Sequence, residues 1–466
     1  MPVEYKKNLL STWKNLSTMK KLIWAYFILL FIEGALRKWI LHPLAAPLLL
    51  VRDPISFWII WEGYRTRRWP QEWTVPVAML TVVLVSLSVF QMVVSQTPWF
   101  VVIYGLRSYL MPFPVAFIIG ASLDRDDVLK FGKWMLLFVI PTVILEVFQY
   151  RASPDSWLNA GAASGISGKG GQIIYVGDHV RAAGTFSYVA GPMFFLPLAA
   201  AFIFYGFVNE EFSKNRKWLL WLSAAAIVLA IPVTGSRTMI FMLAATLLCV
   251  GVSSMLGVAQ FSRTLKIILP LILVAVLVSF LPVFSESSKT LNDRFEGANG
   301  AEGSSEGSII SRTLSPVVDA LSNVTEESGW SGQGIGIGAN AIAMLILGKM
   351  YFMAPEYEFP RVLFEMGPLV GSAYMLFCYV LALALLVKGL QRARELDPLV
   401  WLMVPVTFSC LTQGVLEQPT EQGFLVLSIG LSLAALKKVV VVDSEVREPL
   451  VRVRRLPGRI RTLPRY

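Results

Sequence analysis

The chain contains 466 residues, of which 55% are hydrophobic and only 15% are charged, and its mean hydropathy is +0.61. Ordinary soluble domains carry about 25% charged residues, so this composition excludes a soluble protein. The formal net charge of +10 does not indicate nucleic-acid binding, because the basic residues lie between apolar segments and form no basic fold.

Apolar segments of about 20 residues recur along the chain and predict an all-α, polytopic membrane bundle with about 12 transmembrane helices. We place helices one to nine within residues 1–284 and helices ten to twelve within residues 361–440. Residues 285–360 are predicted to form a large loop that contains short helices, and residues 441–466 form a basic tail. The predicted spans begin near Leu22, Ala45, Thr74, Phe100, Lys133, Ala190, Trp218, Arg237, Leu265, Val362, Pro398 and Gln422.

Lysine and arginine cluster at every second connection, for example at Arg65 and Arg68 and again at Lys214 and Lys217. By the positive-inside rule these connections and both basic termini face the cytoplasm. The large loop at 285–360 is therefore predicted to lie outside the cell membrane.

The three cysteines, Cys249, Cys378 and Cys410, all fall within predicted spans. We expect them to be buried as small apolar residues rather than paired in disulfides. The sequence contains no CxxC motif and no zinc-ligand spacing, so we expect neither a metal nor a cofactor.

Three predicted outward connections carry arginines against the positive-inside trend: Arg181, Arg237, and Arg312 with Arg361. The sequence TGSRT at residues 234–238 places Arg237 at the start of a membrane helix, where an arginine costs less than the about 2.5–3.5 kcal/mol of a mid-helix position. The sequence RAAGTFS at residues 181–187 places Arg181 shortly before another helix start. Helix starts and guanidinium groups both favour phosphate esters. The structural alternatives are a snorkelling Arg237 and an ion pair between Arg181 and Asp178.

Arg107 lies a few residues inside the outer end of its span, where it could line the same outward cavity, so it is the third candidate for binding the phosphate groups of a substrate. The alternative is a structural ion pair with Asp53 or with Glu146.

The loop at 285–360 divides into two parts. Residues 292–308 are rich in Gly, Ser and Glu and predict a mobile segment, whereas apolar periodicity returns near Arg312. The sequence GQGIGIG at residues 332–338 lacks the strand, helix and Lys-Ser/Thr of a nucleotide-binding loop, so it predicts a close-packed turn.

Charged residues lead from this loop into the next apolar segment. Glu358, Arg361 and Glu365 are spaced i, i+3 and i+7, which places them on one face of a helix. Glu358 is the candidate general base, held in place by Arg361. The alternative for Arg361 is an i, i+4 ion pair with Glu365 that supports the helix start.

Several of these motifs occur in one order and on one predicted side of the membrane: RAAGTF at 181–186, GSRT at 235–238, Arg312 ahead of GQGIG at 332–336, and Glu365-Met366-Gly367. In this pattern the chain resembles the O-antigen ligase and polysaccharide polymerase (Wzy-type) superfamily of bacterial membrane glycosyltransferases. The motifs cover residues 177–371, and the hydropathy pattern extends the resemblance to most of the chain.

The resemblance implies that Arg181 and Arg237 bind the pyrophosphate of a polyprenyl-linked glycan and that Arg312 lies near the same site. It implies a location in the bacterial inner membrane and metal-independent glycosyl transfer with inversion. Polyprenyl-pyrophosphate-linked glycans and membrane lipid are the implied partners, and a flippase and a chain-length regulator are compatible with it.

Ligases of this superfamily usually carry a histidine in the large loop, whereas His42 and His179 are the only histidines of this chain and neither lies in residues 285–360. This difference favours a polymerase over a ligase. The alternatives of other classes are a transporter or flippase for a lipid-linked glycan and a membrane scaffold protein. The outward clustering of the arginines disfavours a transporter, whose charges should approach the midplane from both sides.

Overall fold

The computed structural model describes residues 16–45, 47–160, 175–176, 179–214, 216–257, 329–339 and 358–437. Five sequence predictions fall wholly or mostly outside these residues. They are Arg312, the ion pair of Arg181 with Asp178, the span that begins near Leu265, the basic tail, and most of the loop at 285–360.

The described part of the chain is almost entirely helical. Its α-helices are α1 (Thr18–Ala35), α2 (Asp53–Arg65), α3 (Thr74–Val94), α4 (Trp99–Leu110), α5 (Pro112–Ser122), α6 (Arg125–Arg151), α7 (Ala190–Val208), α8 (Glu210–Ser213), α9 (Lys217–Thr234), α10 (Arg237–Met255), α11 (Glu358–Arg394), α12 (Leu399–Thr412) and α13 (Pro419–Ala435). A π-helical turn, Leu36–Ile40, continues α1, and short 3-10 turns occupy His42–Leu44, Pro47–Leu50, Gln71–Trp73 and Trp157–Asn159. Two antiparallel two-residue strands, β1 (Tyr175–Val176) and β2 (His179–Val180), pair with each other.

Local sequence accounts for many of the helix boundaries. The Ser17 side chain caps the start of α1, and Asp124 and Asp127 form a capping box at the start of α6. Pro54 occupies the first turn of α2, where its missing N–H costs nothing. The helix that we predicted to begin near Ala45 begins at Asp53 instead, because Pro43 and Pro47 hold the chain before it in 3-10 turns.

Seven described helical segments are long and apolar enough to cross a membrane. They correspond to the predicted spans that begin near Thr74, Phe100, Lys133, Ala190, Trp218, Arg237 and Val362. The predicted count of twelve is not confirmed, since α1 carries three charged residues and α2, α12 and α13 are shorter than 18 residues.

The connections between the helices meet at two opposite ends of the bundle. At the end where α1 begins, which we call the near end, Lys20 contacts Asp124 at 2.9 Å and Arg125 contacts Asp397 at 2.6 Å. The opposite, far end contains residues 36–53, 94–99, 151–160, 179–190, 234–237, 329–339 and 412–419.

Helices α7 and α13 form the centre of the bundle and are buried along almost their whole length. Phe195 of α7 and Phe424 of α13 pack with Phe31 of α1 and Phe186 of the preceding loop in one aromatic cluster. In contrast, α3 exposes most of its apolar side chains, as a helix that faces lipid does. The three cysteines are buried and unpaired, as predicted.

Helix α11 changes direction at Gly367, where φ is 74° and ψ is 168°, immediately before Pro368. Glu358, Arg361 and Glu365 therefore share one short helical segment that precedes the longer part of α11. This break confines the three charged residues to the far end of the bundle.

Candidate functional site

The Arg181 and Arg237 motifs, which lie more than 50 residues apart, contact each other at the far end. Gly235 adopts a left-handed conformation with φ of 54° and ends α9, and the Ser236 side chain caps α10 by accepting a hydrogen bond from the Met239 amide. Nε of Arg181 donates to the Thr234 carbonyl at 3.2 Å. Both arginines are therefore held at the short turn between α9 and α10.

The guanidinium group of Arg237 is incompletely satisfied. The side chain is only partly exposed, and its Nη1 atom is buried without a hydrogen-bond partner among the described residues. Arg237 is also the first residue of α10, where unpaired backbone N–H groups add positive potential. A buried donor on a cation at a helix start is suited to an anionic ligand.

The loop that carries Arg181 is fixed through the Gly184 peptide. Gln149 of α6 binds both sides of it, since its Oε1 accepts from the Gly184 amide at 2.8 Å and its Nε2 donates to the Gly184 carbonyl at 3.1 Å. Nζ of Lys38 donates to the same carbonyl at 3.2 Å. Gly184 has φ of 58°, a conformation that favours glycine. These hydrogen bonds from Gln149 and Lys38 to the Gly184 peptide position the loop that carries Arg181.

The end of the same loop packs against the first helix. Nη1 of Arg37 donates to Ser187 Oγ at 2.8 Å, and its Nε donates to the Ala45 carbonyl at 2.9 Å. Gly34 lies one turn earlier, in direct contact with the backbone of Thr185 and Ser187. The loop is thus held by backbone contact on one side and by charged donors on the other.

Arg107 forms the ion pair that was its structural alternative. Its Nε and Nη2 atoms both donate to the Asp53 carboxylate at 2.7 Å, and its guanidinium lies 5.5 Å from the Tyr104 ring centre. Nη1 is buried without a partner among the described residues. Any contact of Arg107 with pyrophosphate is therefore limited to this one remaining nitrogen unless the Asp53 pair breaks.

Arg361 is buried and pairs with a carboxylate that lies 56 residues later in the sequence. Its Nη1 donates to Glu417 Oε2 at 3.1 Å, and both side chains are almost fully buried. Glu365, the alternative partner at i, i+4, accepts two backbone amides with its carboxylate oxygens, from Gly336 and Gly338, each at 2.8 Å.

The glycine turn at residues 332–338 is close-packed, as predicted. An added Cβ at Gly334 would lie 2.6 Å from Thr97 Oγ1, and one at Gly336 would lie 2.5 Å from the Val101 carbonyl. Gln91 of α3 also holds the turn in place, because its Oε1 accepts a hydrogen bond from the Ile335 amide at 2.9 Å. The turn is wedged between α3, α4 and the first segment of α11.

Glu358 is buried against the connection between α12 and α13. Its Oε1 atom accepts from the Leu416 amide at 3.4 Å, its Oε2 atom is buried without a partner among the described residues, and the residue is 3% exposed. Glu421 of α13 holds the same connection by accepting from the Val415 amide at 2.6 Å. Residues 413–418 are therefore bound by carboxylates from two helices.

The structure thus groups the candidate residues in two places at the far end, Arg181 with Arg237 and Glu358 with Arg361, while Arg107 pairs with Asp53. Sequence analysis assigned no role to the residues that position them. Glu417 had one available signal, a carboxylate inside an otherwise apolar region. Gln149, Lys38 and Gln91 had none, since a single polar residue near a helix end is common.

Within the described ranges, no group of three or more His, Cys, Asp or Glu side chains is arranged to hold a metal ion. No protein-family model matches the chain, and no curated protein matches it.

Proposed function

We propose that the protein is a membrane glycosyltransferase that joins polyprenyl-pyrophosphate-linked oligosaccharide repeat units into a surface or secreted polysaccharide. In this proposal the near end and both termini face the cytoplasm of a bacterium, and the far end faces outward. The distribution of lysine and arginine and the resemblance of residues 177–371 to the Wzy-type superfamily support this assignment.

The observation that carries the proposal is the contact between the Arg181 loop and the Arg237 turn. It assembles two guanidinium groups at one helix start and leaves a buried Arg237 donor without a partner among the described residues. When a sugar leaves a pyrophosphate, negative charge develops on the departing oxygens. Prearranged cations in a poorly solvated site stabilise that charge, so the chain's own residues can supply what a metal ion supplies in other transferases.

The reaction is a single displacement. An acceptor hydroxyl attacks the anomeric carbon of the donor sugar, the bond from this carbon to the pyrophosphate oxygen breaks, and the electron pair leaves with the polyprenyl pyrophosphate. The hydroxyl proton passes to a carboxylate, and the configuration at the anomeric carbon inverts. Arg312 is proposed to act near the same site.

Glu358 is the proposed proton acceptor, positioned by Arg361. Glu358 is covered by the Leu416 amide in this structure. Its action as a base therefore requires residues 413–418 to move away from it, since a base must come within hydrogen-bond reach of its proton.

The test is complementation of a strain that lacks the protein, with Arg237→Ala and with Arg65→Ala as the matched control. Arg65 lies at the near end, is 65% exposed at its side chain and pairs only with Glu62 among the described residues. With equal expression, Arg237→Ala should lower polymer formation by about 10²–10³-fold, the usual effect of removing one donor that stabilises a developing oxyanion. Arg65→Ala should restore normal chain length on gels.

The products in membrane extracts distinguish the candidate functions. A polymerase defect accumulates single lipid-linked repeat units at the outer face, a ligase defect leaves long polymer on polyprenyl, and a flippase defect retains repeat units at the cytoplasmic face. Normal polymer length in cells with only the Arg237→Ala protein would refute the proposed site.

A further inference from the structure

Two buried carboxyl groups, those of Glu365 and Glu417, meet where the glycine turn, α11 and the connection at 413–418 come together. Glu365 is 0% exposed, and its two oxygens accept the amides of Gly336 and Gly338 at 2.8 Å each. An ionised carboxylate accepts hydrogen bonds equally well on both oxygens, so it suits these two N–H donors better than a protonated carboxyl does. The geometry therefore favours the charged form of Glu365.

Glu417, in contrast, has one carboxyl oxygen to which nothing donates a hydrogen bond among the described residues. Its Oε2 atom accepts from Arg361, but its Oε1 atom is buried without a donor among the described residues. Glu417 also lies within hydrogen-bonding reach of the Glu365 carboxyl group. Two carboxyl groups can form a hydrogen bond with each other only when one of them carries a proton, so a proton on Glu417 Oε1 satisfies the otherwise unpaired atom.

The charged groups around the pair also favour a proton on Glu417. The described titratable and charged groups that face Glu417 are Glu358, Arg361 and Glu365 on α11 and Tyr104 and Tyr109 on α4. Glu421 on α13 interacts with Arg361 and Glu358 and so belongs to the same buried cluster. One guanidinium among four buried carboxyl groups leaves an excess of negative charge, which a buried site reduces by binding protons. Burial and the neighbouring Glu365 carboxylate accordingly raise the pKa of Glu417 well above its usual range.

We propose that Glu417 carries a proton that it donates to Glu365, and that this proton-binding site latches residues 413–418 to the glycine turn at residues 332–338. The latch has three members: the Glu365 carboxylate bound by the turn, the protonated Glu417 on the connection, and Arg361 as the counter-charge. Loss of the proton leaves two adjacent carboxylates, which repel each other and weaken the contact between the two segments.

Opening the latch has a consequence for Glu358, because the Leu416 amide that covers Glu358 belongs to the same connection. Deprotonation of Glu417 would therefore uncover the proposed base. This consequence rests on the proposed function, whereas the proton site itself does not.

The direct test is infrared spectroscopy of the purified full-length protein at neutral pH, which resolves the C=O stretch of protonated carboxyl groups. Wild type should show absorption from a protonated carboxyl that is lost in Glu417→Gln and retained in the control Glu62→Gln. The glutamine fits the site, because its amide N–H can donate to Glu365 while its carbonyl accepts from Arg361. Glu417→Asp should keep a shifted band and serves as a second variant if the glutamine protein folds poorly.

The pH dependence of stability provides a second readout. The folded protein keeps a proton that the unfolded chain releases above a pH of about 4.3, so the site's contribution to stability falls as pH rises toward the raised pKa of Glu417. Over that window the unfolding equilibrium constant of wild type should rise about tenfold per pH unit more than that of Glu417→Gln.

An unchanged carboxyl band in Glu417→Gln, or equal pH slopes for the two proteins, would show that Glu417 is ionised and would overturn the latch. Neither readout involves glycan transfer, so a failure of the latch is separate from a failure of the Arg237 test.

Discussion

Gly34→Ala tests the contact that positions the Arg181 loop, without changing any charged residue. Gly34 lies in α1, and a Cβ at this position would overlap the backbone of Thr185 and Ser187. Both obstacles are backbone atoms, which cannot rotate away as a side chain can. The loop would have to retreat by about 1 Å to reach an ordinary contact distance of about 3.5 Å.

This displacement has two expected effects of different size. Overpacking of this kind costs about 1–3 kcal/mol of stability, which should appear as a lower thermal midpoint. The shift of the loop moves Arg181 away from the Arg237 turn, and a misplacement of about 1 Å at a reacting centre can cost about 10²-fold in rate. We therefore expect shortened polysaccharide at temperatures where the variant is still folded.

Gly251→Ala is the matched control, because Gly251 lies inside α10 and an added Cβ there meets no atom within 4 Å. The same chemical change should leave chain length unchanged and raise helix stability by up to about 1 kcal/mol. The reasoning is refuted if Gly34→Ala and Gly251→Ala have the same thermal midpoint and yield the same polymer length.

Two further substitutions separate stability from activity. Gln91→Ala removes the Nε2 donor to the Glu365 carbonyl at 2.7 Å and the acceptor of the Ile335 amide. We expect the free energy of unfolding to fall by about 1–3 kcal/mol for each buried group left unpaired. The exposed Gln71→Ala is the control. Arg125→Ala, at the near end, should cost a similar free energy of unfolding because it leaves Asp397 without this partner, and the thermal midpoint should fall accordingly. Polymer length in the folded fraction should stay normal. A strong loss of polymer would instead connect the near end to the reaction.

The sequence predicted features that depend on local spacing. The glycine turn at 332–338 follows from the absence of the residues that a nucleotide loop needs, and the shared helical face of Glu358, Arg361 and Glu365 follows from their i, i+3 and i+7 spacing. Long apolar runs likewise predicted seven helices that the structure contains. These signals are local, so one chain segment is enough to show them.

The partners of the charged residues could not be predicted in the same way. Local spacing offered Glu365 as a partner for Arg361, whereas the structure also pairs Arg361 with Glu417 and places two amides of the glycine turn on Glu365. The predicted start of the second helix at Ala45 was wrong because proline spacing, rather than hydropathy, sets the boundary at Asp53.

Sequence alone determined that this is a helical membrane protein with apolar spans and arginines concentrated in a few short motifs, since hydropathy and periodicity are properties of each segment. Only the tertiary structure decided which motifs meet. The contact of Arg181 with the turn at Arg237, and the pairing of Glu417 with Arg361, join residues more than 50 positions apart. In a buried layer each charge must find a partner or a proton, and that choice depends on which helices pack side by side.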